Sequence, residues 1–484
     1  MLDEQSDIVA GSKIASSLQK EIEEVLQLAH RFKEEVVLPN FSQYDLHVFK
    51  DLDWLPEEFL KRAAAFGLFT LWLPKIFGGK GYSPQTMALF NEEIASVCLG
   101  MANIIAVHYL GITIVSVTSN FKLLNTICQE VVRAEKLGGF PCLVSVAATE
   151  PDAGTDVEEL ELIDRGTLIC KAIKKEGGYL LSGTKSFISN GHFSTWHIVT
   201  AYADLKRPSQ TPVLLAVKKG TMGFSLGKIE RKMGQKVCPT GELIFDNCFV
   251  KDEHLCLDLS ALKMAKGARE VNAILLNDIL SLSRVGVGAF GAGMARGAYQ
   301  CALDYAKKEY LGKERAIDVE WVQSILASML QNFLGAKSAY FQAMRLNAKV
   351  GPFASMQNPI VYRLLKWLPS SLQQRVLLPI LSTSSVMARA LSDRIKKADP
   401  FYCHQTSLWA SHAKTLGADL AVKNCQLAIE LMGKIGLRHD AKIEKLLRDA
   451  KLLQIYEGPN QINRLNLFYS SMKMAGEKVK EYDS

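Results

Sequence analysis

Glu457 is the residue whose setting most invites chemistry. It stands in the run Ile455-Tyr456-Glu457-Gly458-Pro459-Asn460-Gln461-Ile462. A carboxylate held in place beside a substrate can take a proton from carbon as a general base. A lone Glu after a Tyr is by default a surface residue, so its companions elsewhere in the chain must decide. The run 149–156 (Thr-Glu-Pro-Asp-Ala-Gly-Thr-Asp) taken alone reads as an Asp/Gly-rich turn. Nine histidines show no metal-ligand spacing, and ten cysteines include no C-x-x-C pair. Reduced thiols, no disulfide framework and no metal site are therefore expected. Cys142, Cys170 and Cys248 lie in apolar runs and are expected to pack as small hydrophobes.

The elements that must position these groups change period twice. The 484 residues suffice for two or three domains, and 48% hydrophobic with 22% charged residues is an ordinary globular balance. Residues 1–142 read as a helical domain, with Leu18, Ile22, Val25, Leu26, Ala29, Phe32 and Val36 at helical spacing. Residues 143–256 carry short β-branched and aromatic runs (143–149, 167–174, 179–188, 196–203, 212–219, 242–250) and predict an antiparallel β domain. From 257 to 484 the helical period returns, with helices expected over 321–345, 406–432, 440–454 and 460–475. Five glycines within 285–298 weaken a lone helix, which predicts a close approach by another helix or a cofactor. No apolar stretch reads as long enough to span a bilayer, and the acidic start, residues 1–7, lacks the order of a targeting segment. A cytoplasmic protein is expected.

The net charge of +7 belongs to one segment. Residues 345–397 hold nine Lys and Arg against the single acid Asp393, so nucleic-acid binding by the whole protein is not implied. Pro359, Pro369 and Pro379 divide the segment, and Leu364, Leu365, Trp367, Leu368, Val376, Leu377, Leu378 and Leu381 sit among its cations. Subunit contact or packing over the bundle, contact with an anionic membrane surface, and a lid over a pocket all stay open for 346–405.

Five motifs in order carry a resemblance. Residues 149–156 resemble the T-E-P-x-A-G-S-D signature of the flavin-dependent acyl-CoA dehydrogenase family. Lys185-Ser186-Phe187-Ile188-Ser189-Asn190-Gly191 resembles its K-x-W-I-T-N-G segment. Lys232-Met233-Gly234 with 239–246, Leu447-Arg448-Asp449-Ala450-Lys451, and Ile455-Tyr456-Glu457-Gly458 are similar to the remaining three. The resemblance implies an α+β multi-domain fold: an N-terminal helical domain, a middle β domain and a C-terminal four-helix bundle, here with an insertion at about 346–405. It implies FAD as cofactor, with Glu457 removing the α-proton of an acyl-CoA while the β-hydride leaves for flavin N5, giving the trans-2-enoyl-CoA. Carried over by position, Ala148, Thr149, Gly154, Thr155, Phe187, Ser189, Gly433 and Gln461 would hold the cofactor. Thr155, Arg284, Tyr456 and Gly458 would meet the substrate. The partners implied are an electron-transfer flavoprotein and further copies of the chain, as homodimer or homotetramer, in fatty acid β-oxidation.

Members that place the base one residue before the Arg would need a carboxylate at Ser283, so the resemblance leaves Glu457 as base. Two cofactor motifs depart from the family. The R-x-x-F-G run is replaced by 305–312, with Lys308 but no Arg, and Q-x-x-G-G-x-G becomes 430–436 with Glu430 and Lys434. An acyl-CoA oxidase using O2, and a non-enzymatic relative with weakened FAD binding, stand as alternatives. Residues 99–112 align with a family segment near the acyl chain, and His108 reads as a histidine satisfied in the core or behind the residues that touch substrate, rather than a substrate contact.

Overall fold

The structure is a computed structural model and describes residues 15–262 and 266–482; the acidic start, 1–7, lies outside the described residues. The first unit comprises α1 (Ala15–Phe32), α2 (Leu38–Lys50), α3 (Glu57–Ala65), α4 (Pro84–Ala95), α5 (Leu99–Val117) and α6 (Phe121–Leu137). The helical spacing read in α1 is realised, for Leu18, Ile22, Val25, Ala29 and Phe32 are all fully buried. His108 on α5 is also buried. Its Nδ1 accepts from Val144 N at 3.3 Å and its Nε2 faces Phe69 O at 3.2 Å. Burial lowers its pKa to about 4, so it is a neutral core histidine.

The chain then enters a sheet in the order β6-β7-β3-β2-β4-β5-β8, with β1 (Val144–Ala147) pairing β4. The strands are β2 (Lys171–Lys175), β3 (Gly178–Ser189), β4 (Trp196–Tyr202), β5 (Pro212–Lys218), β6 (Phe224–Ile229), β7 (Thr240–Lys251) and β8 (Leu255–Asp258). Two features correct the expectation of a purely antiparallel domain. β1 runs parallel to β4, and β2 also meets β4 in parallel. β6 and β8 were not legible: β6 has no buried residue and carries Gly227 within it, and β8 is only four residues long.

Three long helices build the C-terminal unit: α7 (Ala268–Lys308), α8 (Glu320–Val350) and, after the basic segment, α11 (Pro400–Met432). α12 (Lys442–Leu453) and α13 (Asn460–Met474) pack on them. The glycines of α7 mark helix crossings on two sides. A Cβ on Gly291 would lie 2.3 Å from the Gly417 backbone of α11, and one on Gly297 would lie 2.1 Å from Ser96 O beyond α4. The close approach is thus by helices. At the α4–α7–α8 junction Glu92 lies 3.1 Å from Lys337 and 3.5 Å from Arg296, a buried charge cluster that ties the first unit to the bundle.

α5 and α7 correct another expectation, since both are long and apolar enough by length and composition to cross a membrane. Here both are core helices, with 67% of the most apolar window of α5 buried inside the protein. The basic segment is shorter than its sequence suggested, because α8 continues to Val350 and α11 begins at Pro400. Between them lie α9 (Pro359–Trp367) and α10 (Ser384–Lys397). Pro359 opens α9, where its missing N–H costs nothing.

Candidate active site

Glu457 lies in the turn between α12 and α13, and its φ of +54° is left-handed. Gly458 follows at +77°. Two successive left-handed residues, one of them not glycine, persist only where the surroundings hold them. The holding groups come from three helices. Arg284 Nε of α7 donates to Glu457 O at 3.2 Å. Asn463 Nδ2 of α13 donates to Glu457 O at 3.0 Å and to Gly458 O at 2.8 Å. Lys414 Nζ of α11 donates to Gly458 O and to Asn460 Oδ1, both at 2.6 Å. The carboxylate itself accepts from Ser283 Oγ at 2.5 Å. The serine at the alternative base position therefore serves Glu457. Among the described residues no protein acceptor takes the Glu457 N–H.

The third signature locks this turn to the rest of the molecule. Gln235, itself at φ +50°, donates its N–H to Asp449 Oδ1 at 2.5 Å and its Nε2 to Tyr456 OH at 3.4 Å. Asp449 pairs with Lys445 at 2.6 Å, both side chains buried, and Arg448 reaches Asp45 of α2 at 2.7 Å. The Arg-Asp pair read in the sequence is thus the junction of the N-terminal, β and C-terminal units.

The first two signatures meet at the end of the sheet. Lys185 Nζ donates to Ala148 O at 2.7 Å and to Glu150 Oε1 at 2.8 Å. Thr149 Oγ1 donates to Ser186 O. A register shift between Lys185 and Ile188 bulges β3, sets Phe187 at φ +60° and leaves it 58% exposed. Ser189 Oγ lies 3.4 Å from Thr240 Oγ1. The structure thus ties Ala148 and Thr149 to Lys185 and Ser186, which precede Phe187 and Ser189 on β3, and separately joins Glu457, Arg284 and Gly458, with Tyr456 held by Gln235. It does not draw Gly433 or Gln461 into either network. Gly433 ends α11 in open space, and Gln461 is exposed at the start of α13.

Sequence reasoning missed three groups. Glu158 and Glu159, just past Thr155, turn in toward Arg284, with oxygens 3.6 and 3.5 Å from its Nη2. Asn466 Nδ2 also donates to Glu159, at 2.5 Å. In the sequence these acids look like a solvated run with Glu161. Lys414 is the third, hidden as a lone cation among small residues of α11. Burial lowers its pKa to about 7, and the Arg284 charge acts in the same direction against Glu158, Glu457 and Asp419. Burial and then the Glu457 charge push Glu158 up to about 8, with Arg284 only partly opposing. A carboxyl whose folded pKa is raised stabilises the fold fully below its unfolded pKa. That stabilisation is lost as pH rises through the folded value. The melting temperature of the wild type relative to Glu158→Gln should therefore fall between about pH 4.5 and 8 and level off above, as read by differential scanning calorimetry. A difference that does not change with pH would show that Glu158 is not held protonated.

Comparison with known proteins places this architecture. The acyl-CoA dehydrogenase N-terminal domain model matches residues 19–120, the middle domain model 145–248, and the C-terminal domain model 273–378 and 380–470. The last match runs across the basic segment, which therefore stands inside the family domain. The chain is 28% identical over 420 residues to an acyl-CoA dehydrogenase of Bacillus subtilis (strain 168), covering 86% of this chain and 90% of that protein. It is 26% identical to an acryloyl-CoA reductase (NADH) of Anaerotignum propionicum, covering 94% and 96%. Its fold matches butyryl-CoA dehydrogenase from Megasphaera elsdenii with a TM-score of 0.69 at 21% identity, covering 93% and 98%. The three domain models, matched in chain order, define the class as a flavoprotein oxidoreductase. The chain belongs to the acyl-CoA dehydrogenase family, whose members depend on FAD.

The residues present fit the ring end of that cofactor. Phe187 offers an exposed aromatic face, Ser186 Oγ is buried without a partner, and a Cβ on Gly154 would meet nothing within 4 Å. Lys308, Glu430 and Lys434, which stand in the two runs that depart from the family's cofactor motifs, are all exposed.

Proposed function

We propose that the chain oxidises an acyl-CoA thioester to the trans-2-enoyl-CoA with Glu457 as the base, passing electrons to an electron-transfer flavoprotein. The observation that carries this reading is the Glu457 turn, whose carbonyls are tied to α7, α11 and α13. FAD, when bound, supplies the acceptor for the substrate's β-hydrogen and its electron pair. Glu457 takes the α-proton, and its carboxylate is aimed by the Ser283 hydroxyl. The Glu457 N–H polarises the thioester oxygen, which favours charge developing there as the α-proton leaves. Arg284, only 2% exposed, holds the turn through the Glu457 carbonyl and lies beside Glu158 and Glu159. Ala148, Thr149, Phe187 and Ser189 would hold the cofactor's ring end, and Gly154 and Thr155 would meet its phosphates and the thioester. The mostly apolar α5 supports an aliphatic acyl group.

A homodimer or homotetramer is part of the proposal, in which a second copy would join exposed Lys308 and Lys434 in holding the ADP half of the cofactor. Cytoplasmic localisation is part of it too, since all ten cysteines are free and fit a reducing compartment. The test is anaerobic addition of acyl-CoA to the purified yellow protein. Bleaching of the visible flavin bands, with slow return of colour in air and fast return with an electron-transfer flavoprotein, is the expected result. Rapid consumption of oxygen would make the protein an oxidase. A colourless protein that FAD cannot load would make it a non-enzymatic relative.

A further inference from the structure

The face of α9 that points to solvent is its apolar one. Ile360, Leu364 and Trp367 recur at helical spacing and are 78%, 49% and 81% exposed. The opposite face holds the polar contacts. Tyr362 is buried with its hydroxyl on Glu21, Lys366 Nζ lies 2.5 Å from Glu21 Oε1, and Lys75 Nζ donates to Lys366 O at 2.7 Å. Asn358 caps the helix, accepting from Ile360 N at 3.0 Å, so its orientation is fixed at both ends. The apolar exposure continues through Leu372, Val376 and Ile380. That stretch is anchored from beneath by Gln373 Nε2, which donates to Leu365 O at 2.7 Å and Leu368 O at 2.9 Å.

Burying the polar face and exposing the apolar one is the reverse of what a surface helix in water does. Contiguous exposed apolar patches mark interaction surfaces. Charge selects the occupant. Arg363 and Arg375 are exposed on this face and have no ion-pair partner among the described residues. Within 345–397 only Asp393 is acidic, and it lies beside Arg389 on α10. A second copy docking through a two-fold axis would set these cations against their own images. A surface both apolar and anionic has no such conflict.

We infer that α9 and the turns that follow it, 359–381, lie flat on an anionic lipid bilayer. Ile360, Leu364 and Trp367 enter the headgroup boundary, while Arg363 and Arg375 meet lipid phosphates. The proline-divided helices are too short to span, and an in-plane site needs no span. This inference does not depend on the dehydrogenase reading.

The experiment is co-sedimentation of the full chain with vesicles of phosphatidylcholine alone or mixed with phosphatidylglycerol. Binding to the mixed vesicles only, weakened by added salt, is expected. The exposed triple variant Ile360→Ser/Leu364→Ser/Trp367→Ser should lose roughly tenfold or more in affinity. Arg363→Glu/Arg375→Glu should bind neither vesicle while keeping the wild-type melting temperature, which separates lost binding from lost folding. No binding by the wild type, or a triple variant that binds like it, overturns the inference. So does absence of vesicle binding combined with a smaller oligomer for the triple variant, which would make the face a contact between copies.

Discussion

Glu457→Gln should keep its FAD and its affinity for acyl-CoA and lose turnover by a factor on the order of 10³. The amide is nearly isosteric and still accepts the Ser283 hydroxyl, which approaches the carboxylate to 2.5 Å in the wild type. The backbone ties to Arg284, Lys414 and Asn463 involve main-chain oxygens of the turn and do not depend on the side chain. What the substitution removes is a site for the α-proton. Visible absorption measures the flavin, calorimetric titration measures substrate binding, and dye reduction measures kcat. The signature of a base is a fall in kcat with ligand binding unchanged. Near-normal turnover would move the base to another group, and loss of FAD would give Glu457 a structural role.

Lys185→Met carries the largest expected cost in stability. Lys185 and Glu150 are both fully buried and lie 2.8 Å apart. Glu150 also accepts from Ile169 N at 2.5 Å and Cys170 N at 3.0 Å, while Lys185 braces Ala148 O. Removing the cation strands a carboxylate away from water, which costs about 3–5 kcal/mol. Urea denaturation should show a lower midpoint with an unchanged slope, and weaker retention of FAD should accompany it. Adding Glu150→Gln should recover much of the loss, because no uncompensated charge then remains. A double variant no more stable than the single one would show that side-chain packing, not charge, sets the cost.

The contrast between these two glutamates shows how far the sequence reaches. Glu150 belongs to a signature read as cofactor-binding, yet its own side chain is a structural strut for the loop. Which member of a motif touches ligand and which one supports it depends on the direction of the side chain, and motif spacing does not encode that. Glu158 and Glu159 make the same point from the other side. They look like a surface acidic run until the short helix after Thr155 turns them toward Arg284.

The order of the units was legible because hydrophobic period reports local geometry directly, at 3.6 residues for a helix and 2 for a strand. The position of Glu457 was legible because its motif is contiguous. The strand partners were not: the parallel pairing of β1 with β4 joins residues some fifty positions apart and leaves no local trace. The limits of the basic segment were misjudged for a related reason, since α8 and α11 extend past where their apolar spacing fades, held by packing against α7. By itself, then, the sequence determined the family and the succession of units, and it singled out Glu457 as the candidate carboxylate. Only the tertiary structure decided that Ser283, Arg284, Lys414 and Asn463, drawn from three helices, converge on the Glu457 turn. Convergence is a property of helix crossings, set by the small residues where α7 meets α11, and no local pattern contains it.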